Sequence, residues 1–181
     1  KKKLLIVSLV GVAAVLAVVL VLLLVVFPAK NDETPSTDTD TTVTVLDKTT
    51  TSVAVAVSSA TLRQTDATLE FVNQNDSLLQ KGYEDLPVNS TNMKALADSL
   101  TLYKATQDLG EKENLSDFGF DTPQLSAAVT FYDGTDYAFE LGDKTPDGKG
   151  YYFREKDKTH VYILNGDSAS ALLQTALDYV G

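Results

Sequence analysis

An uninterrupted apolar run near the amino terminus, residues 4–27, constrains this chain more than any other feature. It extends from Leu4 to Phe27 without one charge, and three lysines directly precede it. At ~1.5 Å rise per residue, a helix of this length crosses the ~30 Å hydrocarbon core of a bilayer. A cleaved signal peptide has a shorter apolar core and a small-residue exit, which Val26-Phe27-Pro28-Ala29 does not match. The run therefore predicts an uncleaved signal anchor whose partner is the lipid bilayer.

The distribution of charge predicts how the anchored chain is oriented. Lys and Arg concentrate on the cytoplasmic side of membrane proteins, so we expect the lysine-flanked N-terminus inside and everything after Pro28 outside. Beyond residue 30 there are 25 acidic and 11 basic side chains, which give a net charge of −14. That balance argues against nucleic acid, whose phosphates bind basic surfaces. We expect a single-pass protein of the cell membrane with an extracellular C-terminal domain.

The part of the chain beyond the anchor is expected to consist of a stalk and one domain. Residues 29–42 are polar, acidic and rich in threonine, which predicts a flexible stalk. Residues 43–181 are long enough for one domain with an adequate core. The chain has no cysteine, so no disulfide can hold that domain together. The expected organisation is therefore 1–28 as lysine stub and anchor, 29–42 as stalk, and 43–181 as an extracytoplasmic domain of a bacterial envelope.

Two-residue alternation of apolar side chains predicts several strands. In the first half it covers residues 42–46, 53–57 and 69–71. In the second half, Val129 and Phe131 alternate toward an Asp-Gly turn at Asp133, beyond which the alternation resumes. The side chains expected on the core face of this hairpin are Val129, Phe131, Tyr137, Phe139 and Leu141. After a glycine-rich loop, 142–150, a second hairpin is expected to pair Tyr151 and Phe153 with Val161 and Ile163.

Helical periodicity appears in two stretches. Residues 91–105 follow a cap at Asn89 or Ser90, and their apolar face consists of Met93, Leu96, Ala97, Leu100 and Tyr103. A final helix opens near Asp167, and its predicted buried face consists of Ala169, Leu172, Leu173, Ala176, Leu177 and Val180. Between them, residues 114–119 form one helical turn that ends at Gly119. The order of elements predicts an α+β fold of mostly antiparallel sheets with two amphipathic helices packed on them. The two halves are consistent with a diverged repeat.

The stretch 115–152 resembles the repeating core of the domain of unknown function 4340 family. The family pattern is Leu-x-x-(Tyr/Phe)-Gly-(Leu/Phe)-x-x-Pro, a strand, an Asp-Gly turn, a strand ending in Leu-Gly, a glycine-rich loop and an aromatic pair. The matching positions are Leu115, Phe118, Gly119, Phe120, Pro123, Asp133, Gly134, Leu141, Gly142, Gly148, Gly150, Tyr151 and Tyr152. The resemblance implies a membrane-anchored extracytoplasmic domain without an established catalytic residue, and a partner-binding role near export or gliding-associated transporters. Family members usually carry a tryptophan in the early half, which this chain lacks.

No motif in the sequence indicates catalysis, a cofactor or a metal site. His160 is the only histidine and falls in a predicted strand, so we expect a surface residue rather than a catalytic base. One histidine without cysteine makes a poor set of zinc or copper ligands. The loop 142–150 contains glycines, but its spacing does not match a Walker phosphate loop, so we interpret it as a turn.

An interaction role is the leading hypothesis. Tyr132, Tyr152 and Tyr162 are expected to share an exposed sheet face that could serve as a binding platform. The sequence favours a non-catalytic protein-interaction or scaffolding module of the envelope, for a transporter or a cell-wall assembly. The alternative is a ligand-binding module for a cell-wall or other extracellular small molecule, which would use the tyrosine face or the loop 142–150. A hydrolase is the least favoured, because no residue can be named for it.

Overall fold

The fold is built on one antiparallel sheet. The computed structural model describes residues 42–49 and 56–181. Its strands are β1 (Val43–Asp47), β2 (Val57–Gln64), β3 (Thr68–Gln74), β4 (Ser77–Gln80), β5 (Leu102–Glu111), β6 (Leu125–Phe131), β7 (Asp136–Lys144), β8 (Gly150–Glu155) and β9 (His160–Asn165). The helices are α1 (Ser90–Thr101) and α2 (Gly166–Leu172), with 3-10 turns at Leu115–Phe118 and Ala176–Tyr179. Across the described part of the sheet the order is β1-β5-β9-β8-β7-β6-β2-β3-β4.

Two meanders meet at the β2–β6 pair. The chain runs outward through β2, β3 and β4 on one side and through β6, β7, β8 and β9 on the other. The first strands of the two meanders are antiparallel neighbours, with Ala60 opposite Val129. Each meander is followed by a helix, and β5 and β1 then extend the sheet beyond β9. This arrangement agrees with the α+β fold of antiparallel strands and two helices predicted from the sequence.

Both helices cover the same face of the sheet and create the core. Asn89 caps α1 by accepting a hydrogen bond from the Asn92 backbone N–H. The ring of Tyr103 lies 4.8 Å from that of Phe139 and 5.3 Å from that of Phe153, measured between centroids. Other fully buried side chains around it are Leu62, Leu96, Leu100, Leu125, Leu141, Leu164 and Leu172. Burying each such side chain contributes roughly 1.5–3 kcal/mol, so this face holds the sheet and helices together.

The first predicted helix ends earlier than its periodicity indicates. α1 stops at Thr101, whose hydroxyl donates back to the carbonyl oxygen of Ala97, and Leu102 already has an extended backbone. The prediction that the helix continues to residue 105 is therefore wrong. The chain continues directly as strand β5, because Leu102 pairs with Asp47 of β1. Tyr103 is buried as expected, but it reaches the core from a strand.

The last predicted helix is broken into two pieces. α2 ends at Leu172, and a capping box between Thr175 and Asp178 starts the 3-10 turn that follows. Ala169 and Leu172 are buried as predicted. The prediction for Leu177 is wrong, because the break rotates it outward to 71% exposure. Tyr179 enters the core instead, and its hydroxyl donates to the carbonyl oxygen of Ala171 at 3.0 Å.

The two predicted hairpins are present, but the register of the second differs. In the β6–β7 hairpin the five predicted apolar side chains belong to the core or pack against it. In the β8–β9 hairpin Phe153 is opposite Tyr162, and Tyr151 is opposite Leu164. Val161 and Ile163 therefore face away from the helices, and their predicted pairing with Tyr151 and Phe153 on one face is wrong. Apolar side chains are needed on both faces here, because a chain segment covers the second face.

Several predictions concern residues that the structure does not describe. The anchor (1–28) and most of the stalk (29–42) lie outside the described residues, as do Val53 and Val55 of the second predicted strand. Within the residues that are described, no helix has the length and apolar character needed to cross a membrane. Strand β4 has no alternation signal, because one of its two buried positions is the polar Gln80 and the half-buried position between them is Leu79.

The segment 112–124 crosses the sheet on the face opposite the helices. It connects β5 to β6 and therefore passes β9, β8 and β7. Phe118 packs edge-on against Tyr152, with ring centroids 4.9 Å apart. The centroid of the Phe120 ring lies 4.7 Å from the guanidinium carbon of Arg154. Arg154 Nη2 forms an ion pair with Glu140 Oε2 at 2.6 Å. The segment thus closes the second face over the β7–β8 hairpin.

Two glycines permit this close approach. Gly119 has a φ of +80° and ends the helical turn predicted there. A Cβ on Gly142 of β7 would lie 2.0 Å from the carbonyl oxygen of Phe118. A Cβ on Gly119 would in turn lie 2.6 Å from the backbone nitrogen of Asp143. The backbones of the segment and of β7 can therefore touch only because both positions lack a side chain.

We expect Gly142→Ala to lower the free energy of unfolding by about 3 kcal/mol or more, because the clash is with backbone that cannot move aside cheaply. Gly134→Ala is the matched control. Gly134 has a φ of +81° but no atom within 4 Å of an added Cβ, so we expect only the left-handed backbone cost of about 1–2 kcal/mol. Urea unfolding of both variants measures the difference. A Gly142→Ala protein as stable as Gly134→Ala would show that the segment packs elsewhere.

Candidate functional site

The loop 142–150 and the start of α2 form a polar surface at one end of the sheet. We call these residues, 142–150 and 165–170, the loop end. A cleft of about 370 Å³ lies on one side of the loop, between Lys144, Lys149, Tyr151 and α2. A second cleft of about 300 Å³ lies on its other side and reaches the β5–β9 pair. Lys149 and Asn165 line both clefts.

Thr145 holds the loop in one conformation. Its side chain is buried, and its hydroxyl donates to Asp147 Oδ1 at 2.6 Å and accepts from the Gly150 N–H at 3.0 Å. Its backbone N–H donates to the carbonyl oxygen of Gly150 at 2.8 Å. The Gly166 N–H donates to the carbonyl oxygen of Lys149 at 3.0 Å and so joins the loop to α2. The loop is therefore a rigid element, although most of its side chains are exposed.

Asp147 completes the internal hydrogen bonding of the loop. The Thr145 hydroxyl and then the Lys149 backbone N–H hold the pKa of the Asp147 carboxyl below its ordinary value. Both donors reach the same oxygen, Oδ1, at 2.6 and 3.1 Å. This carboxylate is thus occupied with shaping the turn, as expected for an aspartate in a loop.

The two lysines of the loop end, Lys144 and Lys149, are exposed and lie near the carboxylates of the same loop. Lys144 Nζ lies 5.8 Å from the centroid of the Tyr151 ring. Neither Lys144 nor Lys149 forms an ion pair with a residue in 42–49 or 56–181, whereas Lys48, Lys81 and Lys94 each contact a carboxylate at 2.7 Å. Two exposed lysines thus flank one rigid loop, which also carries Asp143 and Asp147.

The predicted tyrosine platform is not formed. Tyr132 lies beyond the end of β6, is 56% exposed, and lines a separate cleft with Lys48 and Asp133. Tyr152 faces the crossing segment, since its strand neighbours Tyr151 and Phe153 face the core. Tyr162 is opposite Phe153 and therefore lies on the helix-covered face. The three residues do not share a face, because two-residue alternation on β8 and the β8–β9 register separate them.

His160 lies in an ionic cluster that the sequence analysis did not anticipate. It begins β9, is half-buried, and stacks on Tyr162 with ring centroids 4.6 Å apart. Its Nε2 lies 2.6 Å from Asp108 Oδ1, and its Nδ1 lies 3.4 Å from Glu111 Oε1. The Gly110 N–H and then His160 hold the pKa of Asp108 below its ordinary value. No spacing in the sequence could reveal this, because the strands β5 and β9 are brought together only by the fold.

The sequence analysis also did not predict two buried tyrosine hydroxyls. Tyr103 and Tyr137 have rings 5.5 Å apart, and in the described structure neither hydroxyl has a hydrogen-bond partner. Burial raises the pKa of both tyrosines, so they remain neutral phenols. Among the described residues, no group of three or more His, Cys, Asp or Glu side chains is arranged to hold a metal ion.

We expect Thr145→Val to lower the free energy of unfolding by about 1–3 kcal/mol, since the Gly150 N–H loses its buried acceptor. The loss should be smaller in acid. The lowered pKa of Asp147 means that the Thr145–Asp147 bond stabilises above the ordinary aspartate pKa of ~3.9 and is lost as the pH falls through the folded value. Chemical unfolding at about pH 7 and at about pH 2 measures this difference.

Thr106→Val is the control for that experiment. The Thr106 hydroxyl donates to the carbonyl oxygen of Ile163 at 3.2 Å, an acceptor that does not titrate in this range. Its effect on stability should therefore be the same at both pH values. An equally pH-independent effect of Thr145→Val would mean that Asp147 does not hold the loop.

Comparison with known proteins identifies a family but no characterised relative. No curated protein and no solved structure matches the chain. A family model, described as Domain of unknown function (DUF4340), matches residues 81–180, which is more than half of the chain. The matched region contains both helices, β5 to β9, the crossing segment and the loop end. The resemblance found in the sequence is thereby confirmed, and the chain belongs to the DUF4340 family of domains of unknown function.

Proposed function

We propose that this protein is a single-pass, membrane-tethered extracytoplasmic domain that binds a protein partner of the bacterial envelope and does not act as a catalyst. The tether is the apolar run 4–27, whose length and flanking lysines fit a signal anchor with a cytoplasmic N-terminus. The stalk 29–42 would then present the folded domain a short distance from the membrane. A partner in a transporter or cell-wall assembly fits this location.

One observation carries the interaction role. The loop end is rigid, since Thr145 and Asp147 bind the loop internally, and it still exposes the side chains of Lys144 and Lys149, which form no close ion pair with a described residue. A rigid loop loses little conformational entropy when a partner binds it. Loops on a rigid scaffold are also where binding residues concentrate. We therefore place the partner surface at the loop end rather than on the three tyrosines.

A small-molecule role is the second candidate, and the volume of the clefts favours it. Pockets for small molecules are commonly ~300–1,000 Å³, and the two clefts of the loop end, about 370 and 300 Å³, fall at the lower limit. Their walls include exposed residues on both sides, such as Lys149 and Asp167. Small-molecule pockets bury most of their ligand, so this openness suits a protein surface better.

We expect the full chain to remain in the membrane fraction after an alkaline carbonate wash, because a helix of about 20 or more apolar residues is held by the hydrocarbon core. Deletion of residues 4–27 should release the protein into the soluble fraction. A version with Leu replaced by Ile throughout that run keeps its apolar character and is the control. Release of the intact chain by the wash would argue against a membrane anchor.

In-cell photo-crosslinking locates the partner surface. A photoreactive amino acid at position 149 should capture a defined set of envelope proteins, because this position lies between the two clefts. The same amino acid at position 156 is the matched control. Lys156 is also an exposed lysine in a hairpin loop, but it follows β8 at the opposite end of the sheet. Equal capture from both positions, or from neither, would refute a partner surface at the loop end.

A further inference from the structure

We infer that an apolar stripe beside the last 3-10 turn is a docking surface for a basic, extended segment of a partner protein. The stripe consists of Leu86, Val88, Leu177 and Val180, and it shares no residue with the loop end. Leu86, Val88 and Leu177 are 46%, 39% and 71% exposed. They are three of the five large apolar side chains that are exposed among the described residues. The stripe is therefore a second surface, and its partner is argued independently of the proposed function.

The fold places these side chains next to one another. Val88 and Val180 form an antiparallel bridge as a non-hydrogen-bonded pair, so their side chains lie close together on one side. Tyr179 points into the core, so the extended residue after it, Val180, points outward. The Val180 N–H donates to the carbonyl oxygen of Leu177 at 3.2 Å, and in a 3-10 turn side chains three residues apart lie one above the other. Leu177, Val180 and Val88 thus form one continuous apolar strip, and Leu86 lies two residues from its end.

Hydrogen bonds hold Leu177 at the surface. The Asp178 carboxylate accepts from the backbone N–H and from the hydroxyl of Thr175, both at 2.8 Å, and this capping box starts the 3-10 turn. The Asn92 side-chain amide donates to the carbonyl oxygen of Asp178 at 2.7 Å and ties the turn to α1. A partner that covers a side chain on such a fixed turn orders little of the chain. Exposed apolar side chains grouped in this way mark an interaction site.

The backbone beside the stripe favours an extended occupant. In a non-hydrogen-bonded pair, the N–H and C=O groups of each residue face away from the other residue. In the described structure those of Val88 have no hydrogen-bond partner. Pro87 has no N–H and α1 begins at Ser90, so this edge offers one donor and one acceptor. An extended peptide uses such groups by strand addition, and its alternate side chains then contact the stripe.

The charges around the stripe determine the sign of its partner. No lysine or arginine occurs in the two chain segments that form this surface, 82–93 and 159–181. The flanking lysines, Lys81 and Lys94, each pair with a carboxylate at 2.7 Å. Three acidic side chains lie within two residues of the stripe and form no ion pair with a described residue: Glu84, Asp85 and Asp178. Acidic side chains are common in this chain, so the apolar side chains mark the surface and the charges favour a basic partner.

The same acidic side chains argue against two other occupants. In a symmetric dimer the patch faces its own copy, so the carboxylates of the two copies would repel each other. A membrane surface with anionic lipids attracts basic segments, and this surface has none. A basic segment of a different protein meets neither obstacle.

The test measures binding of short fluorescein-labelled peptides to the full chain in nanodiscs of zwitterionic lipid, followed by fluorescence anisotropy. The probe alternates Val and Lys. One control peptide has Ser in place of Val, and the other has Glu in place of Lys. We expect each control to bind at least about tenfold more weakly at low salt. The preference for Lys over Glu should shrink as salt screens the charges, whereas the preference for Val over Ser should remain.

Leu177→Ser and Val88→Ser should each weaken binding of the Val-Lys peptide by about three- to tenfold, because each removes apolar contact area. Tyr132→Ser is the matched control. Tyr132 is also a large exposed side chain, at 56%, but it lies beyond the end of β6 and outside the stripe. Its replacement should leave the affinity unchanged. Thermal unfolding confirms that all three variants fold.

Equal affinity for the Val-Lys and Ser-Lys peptides, or equal effects of Leu177→Ser and Tyr132→Ser, would overturn the inference. The chain has no cysteine, so Leu177→Cys tests the other occupants directly. Efficient disulfide formation between two copies of this variant would overturn the inference in favour of a dimer. Quenching of a dye attached at position 177 by nitroxide-labelled lipid would overturn it in favour of the membrane surface. Crosslinking from position 149 tests the loop end separately, so the proposed function stands or fails on its own result.

Discussion

The contact between the crossing segment and β7 is the constraint on which the second face of the sheet depends. The segment 112–124 can lie flat on the β7–β8 hairpin only because Gly142 lets the carbonyl oxygen of Phe118 approach to a distance that a Cβ would block. Phe118 and Phe120 then cover Tyr152 and Arg154, and the Arg154–Glu140 pair is shielded from water beneath them. Since α1 and α2 cover the other face, the central strands are packed on both sides. This double packing explains why Val161 and Ile163 are apolar on the face away from the helices.

The same contact explains the family pattern in physical terms. The short Phe-Gly-Phe motif and the Leu-Gly motif are 23 residues apart from Gly119 to Gly142, and the fold brings them together as two halves of one interface. Asp143, the neighbour of Gly119 in this interface, is the second residue of the glycine-rich loop 142–150. The position of the crossing segment therefore sets where the β7–β8 loop leaves the sheet. A pattern that looks like separate turns along the chain corresponds to one structural unit in space.

The proposed partner surface is formed by the loop 142–150, which follows directly on the contact between the crossing segment and β7. Thr145 and Asp147 use their hydrogen-bonding groups inside the loop, so the loop has little freedom of its own. Lys144 lines the larger of two neighbouring clefts, and Lys149 and Asn165 line both. The His160 cluster, near the other end of β8, places a half-buried histidine beside two carboxylates, Asp108 and Glu111.

Local patterns in the sequence were sufficient for those features that depend only on neighbouring residues. The alternation of Val129, Phe131, Phe139 and Leu141 predicted a hairpin and its buried face, and the Asn89 cap predicted the start of α1, because each arises from contacts within a few residues. The glycine-rich loop was visible as a turn, although its two clefts were not. Tertiary structure decided four other features: the end of α1 at Thr101, the break before Thr175, the β8–β9 register and the separation of the three tyrosines. Local periodicity was outweighed at these points by the pairing of β5 with β1, by the entry of Tyr179 into the core and by the packing of apolar side chains on both faces of the sheet. These interactions join residues that are far apart in the chain, so local patterns do not contain them.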